Sequence, residues 1–174
     1  MLLAFLNLRG LKESIRVMMP IFLGFVLTHV VMIAVGIGMH EQQIPALWHN
    51  VVSQGHGAIH SLGWGATILL LLKAYSMGAG TYTGLEAVSN NVNVLAEPRV
   101  RTGKWTMFYM AFSLSLMAGG IVLLYMLWHI TPNTAHTYNA TLFSEILASV
   151  PHSQILVLIL LLFEAGILML GANT

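Results

Sequence analysis

The chain of 174 residues lacks cysteine and aspartate altogether, and only 7% of its residues are charged. Without cysteine it forms no disulfide, no thiolate nucleophile and no cysteine-ligated zinc or iron–sulfur site. Soluble domains carry about 25% charged residues, so this composition is typical of a membrane protein instead. The formal net charge of +1 favours neither nucleic acid nor an acidic partner, and we expect no nucleic-acid binding.

Apolar residues are abundant and make up 57% of the chain. They fall into four stretches, each near or above the ~20 residues that cross a bilayer as a helix. The predicted spans are about 17–37, 64–95, 106–128 and 154–172. We therefore predict an all-α integral membrane protein, a single transmembrane domain over 1–174 with the lipid bilayer as its surroundings.

Basic residues are confined almost entirely to two of the predicted connections. Six of the seven lie before the first span or between the second and third: Arg9, Lys12, Arg16, Arg99, Arg101 and Lys104. By the positive-inside rule, these basic loops are cytoplasmic. We expect a multi-pass protein of the plasma (inner) membrane with this orientation.

The two other connections contain no lysine or arginine. Residues 38–62 are predicted to include a short helix on the membrane face. In residues 130–152, four residues of turn-forming types predict turns. These residues are Pro132, Asn133, Asn139 and Pro151.

The second apolar stretch is too long for one membrane helix. Residues 62–95 would measure roughly 50 Å as a continuous helix, against a hydrocarbon core of about 30 Å. The stretch contains Gly78, Gly80 and Gly84 among hydroxyl side chains. We predict a helix break there, whose free backbone groups form a candidate solute-binding site. The alternative is that these glycines only allow close helix packing.

Three lysine or glutamate residues lie inside the predicted spans: Lys73, Glu86 and Glu164. A charge at that depth typically costs about 2.5–3.5 kcal/mol, so each should face a partner or a cavity. Lys73 and Glu164 lie at similar depths, which predicts an ion pair between them. Alternatively, Lys73 extends to the outer surface and Glu164 meets a different helix.

The eight histidines suggest a possible metal site. His56 and His60 are four residues apart, which places both rings on one helix face, where they could hold zinc. His49 and Glu41 lie in the same connection, but no third ligand has suitable spacing, so we predict no metal site. His29, inside the first span, is expected to face the helix bundle.

Three stretches of the chain resemble a known family. They read NLRGLKES at 7–14, TYTGLEAVSNNV followed by EPRVRTG, and GANT at 171–174. They are similar to loops and helices of permeases of the amino acid–polyamine–organocation superfamily. The resemblance implies a five-plus-five inverted-repeat fold with a discontinuous sixth helix, of which this chain matches the fifth to eighth helices. We expect a fragment of such a permease, with the missing helices of the full-length protein as partners.

The resemblance also implies roles for individual residues. Backbone groups at the sixth-helix break would bind the substrate, and Tyr82 would cover it. The implied substrate-binding residues are Gly78, Gly80, Thr81, Tyr82, Thr83 and Gly84. Glu86 would act in gating or proton coupling. Lys73 and Glu164 are further gating or coupling candidates, not from the resemblance but because they are charged residues inside predicted spans. The alternative for Glu86 is a structural carboxyl group bonded to a neighbouring helix.

The expected function is secondary active transport by alternating access, not enzymatic catalysis. The substrate would be an amino acid or related organic cation, with H⁺ or Na⁺ as coupling ion and no bound cofactor. A potassium importer on the same fold is the nearest alternative, because backbone carbonyls and hydroxyls also suit a dehydrated inorganic cation. A membrane-embedded zinc enzyme and an accessory subunit are further alternatives.

Overall fold

The computed structural model describes residues 11–78, 92–131 and 134–171. Within these ranges the chain is helical and has no β-strand, as predicted. Short 3-10 turns occur at Glu41–Gln43 and Val92–Val94. The α-helices of the described ranges are α1 (Leu11–Met39), α2 (Ile44–Gly78), α3 (Arg99–Leu127), α4 (Tyr138–Ile146) and α5 (Ser153–Gly171).

Three helical stretches among the described residues are long and apolar enough to cross a membrane. They are Met19–Met39 in α1, Glu41–Gly78 including α2, and Arg99–Leu127, which is α3. Because a helix satisfies its own backbone hydrogen bonds, it can lie in lipid without exposing polar groups. The fourth predicted span falls on α5, whose apolar part, Ser153–Met169, is shorter than the other three.

The third helix begins earlier than predicted. It starts at Arg99, so Arg101 and Lys104 lie in its first turns and not in a loop. Proline is tolerated at the start of a helix but not in its interior, so Pro98 marks this boundary. The Arg99 side chain pairs with Glu97 at 3.0 Å, which places a carboxylate beside the positively charged helix N-terminus.

The prediction of a turn at Asn139 was wrong. This residue lies in α4, where the Thr137 side chain accepts a hydrogen bond from the Ala140 backbone N–H at 3.2 Å and caps the helix. The same helix buries three apolar side chains, namely Leu142, Phe143 and Ile146. Their spacing places them on one helix face, and burial of that face holds this short helix in place.

Residues 38–62 form helix for most of their length. They do not form a separate short helix, because the helix continues into the second apolar stretch as a single element, α2, with a kink at Gly63. No described residue of α2 is buried. Its side chains therefore depend on the surroundings of the chain, and not on its described helices, for packing.

The chain divides into two units, one made of 1–41 with 120–174 and the other of 42–119. In the first unit, α5 packs against α1 and α4. The core of this unit is a cluster of buried apolar side chains from all four of its helical segments: Met32, Leu124, Leu142, Phe143, Ile146 and Leu160. A Cβ atom at Gly36 would lie only 2.7 Å from Leu124 Cδ2, so the glycine allows close packing there.

The second unit contains α2 and the first part of α3. Gly103 of α3 lies against the segment that precedes it, since a Cβ atom there would be 3.3 Å from Leu95 Cδ1. Exposed aromatic rings follow the same part of α3, and Trp105 stacks on Tyr109 with 5.6 Å between ring centroids. Aromatic side chains at a helix end of this kind are typical of the membrane–water interface.

Candidate functional site

The predicted helix break lies mostly outside the described residues. Gly78 is the last residue of α2. The other predicted binding and coupling residues of this region fall in 79–91, outside the described residues: Gly80, Thr81, Tyr82, Thr83, Gly84 and Glu86. Their roles stay predictions.

A helix interruption does occur upstream, at Gly63. Its φ of 79° and ψ of 161° are not helical, and a positive φ is readily adopted only by glycine. The Thr67 hydroxyl donates a hydrogen bond of 3.0 Å to the Gly63 carbonyl and so satisfies it. The kink separates 44–62 from 64–78, which leaves a shorter apolar helix in the second half of α2.

The predicted pair of Lys73 and Glu164 stays a prediction. Lys73 is exposed on α2, in the second unit, whereas Glu164 lies on α5, in the first unit. Within the first unit, Glu164 bonds to two other side chains, His29 and Asn139.

His29 of α1 lies opposite Glu164 of α5. Its Nε2 atom is 3.0 Å from Glu164 Oε1, and the two side chains are only 2% and 16% exposed. His29 faces the helix bundle, as its position in an apolar span predicted. An ionisable pair at this depth compensates two groups that would each be costly alone.

Small residues allow α1 and α5 to approach closely enough for this contact. A Cβ atom at Gly166 of α5 would lie 2.7 Å from Ile21 Cγ2 of α1. A Cβ atom at Gly24 of α1 would overlap the ring of Phe163. Both contacts lie N-terminal to His29 on α1, at Ile21 and Gly24, and within two residues of Glu164 on α5, so these glycines permit the helix separation that the hydrogen bond needs.

A chain of hydrogen bonds extends the pair to α4 and α3. The Asn139 side-chain amide donates through Nδ2 to Glu164 Oε1 and accepts through Oδ1 from the Tyr125 hydroxyl. The Tyr125 ring also packs against Tyr138, with centroids 5.5 Å apart. Four helical segments thus contribute to one polar network inside an apolar core.

Aromatic rings fix the orientation of the His29 side chain. Phe25, one turn earlier on α1, lies 4.0 Å from the imidazole between ring centroids. Phe143 of α4 approaches it edge-on at 5.4 Å. The Phe25 carbonyl also lies 2.9 Å from His29 Nδ1. The ring is therefore held on both sides with one nitrogen directed to α1 and the other to α5.

The side chains of this network suit proton binding better than covalent or metal chemistry. They comprise one imidazole, one carboxyl group, one amide and one phenol, in direct contact. Within 11–78, 92–131 and 134–171, no three histidine or acidic side chains come close enough to hold a metal ion. The described residues therefore give the zinc-enzyme alternative no support.

Sequence reasoning included Glu164 among the candidates but missed its partners His29 and Asn139, and it missed Tyr125, whose hydroxyl donates to Asn139. The available signal for α4 was a threonine followed by apolar residues at helical spacing, which is a helix-start pattern. Asn139 lies within that pattern, immediately after the first residue of α4. No spacing rule links it to Glu164, because the two belong to different helices.

One comparison with known proteins gives a match. The chain is 34% identical over 142 residues to the potassium transporter KimA of Bacillus subtilis (strain 168). The match covers 80% of this chain and 22% of that protein, so the chain spans less than a quarter of the relative's length. No protein-family model and no solved structure matches the chain. The apolar helices and this similarity together identify an integral membrane protein related to part of a transporter.

Proposed function

We propose that the chain forms part of a secondary active transporter that moves a small cation across the membrane by alternating access. The carrying observation is the 34% identity over 142 residues to a potassium transporter. The three helices long and apolar enough to span a membrane are consistent with this role. The proposal includes the five-plus-five inverted-repeat fold, with this chain as the region of its fifth to eighth helices.

Potassium is the cargo we place first, because the relative is a transporter of that ion. An amino acid or organic cation is the second candidate, based on the permease resemblance. Both cargoes would use the proposed break at 78–84, where backbone carbonyls and the hydroxyls of Thr81 and Thr83 can replace the hydration shell of a cation. An ammonium group offers three hydrogen-bond donors to the same acceptors.

Glu86, Lys73 and Glu164 are proposed as gating or coupling residues, with H⁺ or Na⁺ as the coupling ion. Glu164 is supported most directly, because it contacts His29 and Asn139 in an apolar core. An ionisable group kept inside a membrane protein in spite of its cost usually marks an ion or proton pathway.

Uptake into proteoliposomes made from the full-length protein tests the proposal. We expect rubidium, a potassium substitute, to accumulate and to be displaced by excess potassium but not by amino acids. Accumulation of a labelled amino acid instead would assign the second cargo. If neither enters above the level of empty liposomes, the transporter proposal fails.

A matched pair of variants tests the coupling residue of the predicted break. Glu86→Gln is expected to abolish uptake or its dependence on pH, because the amide cannot release a proton. Glu41→Gln makes the same change at an exposed carboxyl group and should leave uptake unchanged. Equal uptake by both variants across pH would remove Glu86 from the mechanism.

A further inference from the structure

The surroundings of His29 fix which of its ring nitrogens carries hydrogen. Nδ1 lies 2.9 Å from the Phe25 carbonyl, which can only accept a hydrogen bond. The Thr28 hydroxyl is 3.4 Å from Nδ1 but closer to two carbonyl acceptors, those of Gly24 at 2.7 Å and Phe25 at 3.0 Å, so it donates to a carbonyl and offers Nδ1 only a lone pair. Because Nδ1 faces acceptors alone, it must be the protonated nitrogen.

The contact between His29 and Glu164 then requires one more proton. Nε2 and Oε1 are 3.0 Å apart, and a hydrogen bond at that distance needs a hydrogen atom on one of them. With a neutral ring, the carboxyl group carries it and donates to Nε2. With a charged ring, Nε2 carries it and donates to a carboxylate. Both arrangements contain the same number of protons and have a total charge of zero.

We infer that His29 and Glu164 form a buried site that binds one exchangeable proton on the axis between Nε2 and Oε1. The role of this site in transport rests on the proposed function. In that role, the proton held here is the one that the transporter exchanges. The site therefore favours H⁺ over Na⁺ as coupling ion. The site adds His29 to the candidate coupling residues and places the proton between its Nε2 atom and Oε1 of Glu164.

The groups facing the pair favour this zero-charge state. From α4 the neighbour is the neutral amide of Asn139, and from α3 it is the Tyr125 phenol, itself packed against Tyr138. α1 and α5 contribute no other titratable side chain to the described neighbourhood of the pair. Among the residues of the first unit whose side chains the structure describes, none is a lysine or arginine, so no fixed cation of that part of the unit faces Glu164.

Helix α4 covers the site. Asn139 donates to the same Oε1 atom that shares the proton, and Phe143 of the same helix packs against the His29 ring. A second state of the pair, with a proton added or removed, carries a net charge that this apolar enclosure penalises. His29 is 2% exposed and Glu164 is 16% exposed, so the carboxyl group is the more accessible partner for proton exchange.

The proton itself is tested by NMR of the His29 ring nitrogens, in histidine-labelled protein in lipid nanodiscs. We expect a protonated Nδ1 and an Nε2 signal typical of a shared proton, assigned by its loss in His29→Gln. Glu164→Gln should change the Nε2 signal, whereas Glu145→Gln, on the exposed side of α4, should not. A neutral ring with a bare Nδ1 would overturn the inference.

The role is tested by uptake of rubidium into proteoliposomes under an imposed pH gradient. For the wild type we expect a severalfold change in uptake, retained in Glu145→Gln. The double variant His29→Gln/Glu164→Gln keeps two amides able to hydrogen-bond to each other but holds no exchangeable proton. It should lose the response to the gradient.

The outcomes separate the two proposals. If the double variant, folded as judged by its unfolding midpoint, responds to the gradient like the wild type, the pair is not the coupling site and the inference fails. If the wild type takes up no rubidium or amino acid, the proposed function fails. In that case the NMR result still decides whether His29 and Glu164 share a proton.

Discussion

Replacing His29 or Glu164 by leucine measures how strongly the buried pair depends on both partners. Each single substitution leaves one ionisable group in an apolar core without its main partner. The double substitution removes both polar groups, and leucine approximates the volume of each side chain. We expect each single variant to be clearly destabilised. The double variant should lose less unfolding free energy than the sum of the two single losses.

The magnitude follows from the burial and chemistry of the pair. Hydrogen bonds between membrane helices average about 0.6 kcal/mol in double-mutant cycles, with a maximum of about 1.7 kcal/mol. Both partners here are ionisable, and His29 is only 2% exposed. Hydrogen bonds involving charged groups contribute about 1.5–3 kcal/mol, so we expect a coupling free energy of about 2 kcal/mol. Asn139 limits the value, because it remains a partner for Glu164 in His29→Leu.

The assay is equilibrium unfolding of the purified chain in lipid-like micelles, followed by helix content and tryptophan fluorescence. A parallel cycle between His29 and the exposed Glu145 should give additive losses, because the two side chains share no hydrogen bond. If the His29–Glu164 cycle is also additive within about 0.5 kcal/mol, the contact is energetically irrelevant and the reasoning is refuted.

Three smaller perturbations use the same unfolding assay. Gly120→Ala should destabilise the chain by about 1–3 kcal/mol through overpacking, since the new Cβ atom would lie 2.8 Å from Ile33 Cδ1. Gly119→Ala should not destabilise the chain, because its Cβ atom meets open space. Equal effects of the two substitutions would contradict the close contact between Gly120 and Ile33. Thr137→Ala should cost about 1 kcal/mol by removing the cap of α4, and no change would show that the cap contributes nothing. Gly63→Ala should cost about 1–2 kcal/mol because of its positive φ, unlike Gly65→Ala, and a neutral result would argue against the kink.

Hydropathy alone was sufficient to predict the helical class and most of the apolar helices. A run of about 20 apolar residues in lipid forms a helix, because a helix satisfies its backbone hydrogen bonds within the segment. Helix ends were less predictable. The charged residues Arg101 and Lys104 were assigned to a loop because of their composition. Only Gly103 in that stretch disfavours a helix, and α3 extends through all of these residues. The short helix α4 depends on tertiary burial of Phe143 and its neighbours, which local pattern does not reveal.

The candidate site was predictable only in part. Lipid-facing composition makes Glu164 conspicuous, since an isolated carboxyl group in an apolar run needs a partner. Its hydrogen-bond partner His29 is 135 positions away in sequence, whereas the depth argument suggested Lys73 and did not consider His29. The choice is made by close packing at Gly24 and Gly166, where two helices approach because neither has a side chain in the way. The packing of these two helices depends on contacts between residues far apart in sequence, and no simple spacing in a single sequence predicts them.

The Asn139 amide has one donating end and one accepting end. Its oxygen accepts a hydrogen bond from the Tyr125 phenol, and its nitrogen donates one to the Glu164 carboxyl oxygen, so the two hydrogen bonds run in one direction. Turning the amide over would set its carbonyl against that oxygen, a repulsive arrangement whenever Glu164 is ionised. Aspartate at this position, though nearly identical in shape, would bring a second negative group into the core. The orientation of one small side chain is thus tied to the ionisation of its neighbour on another helix.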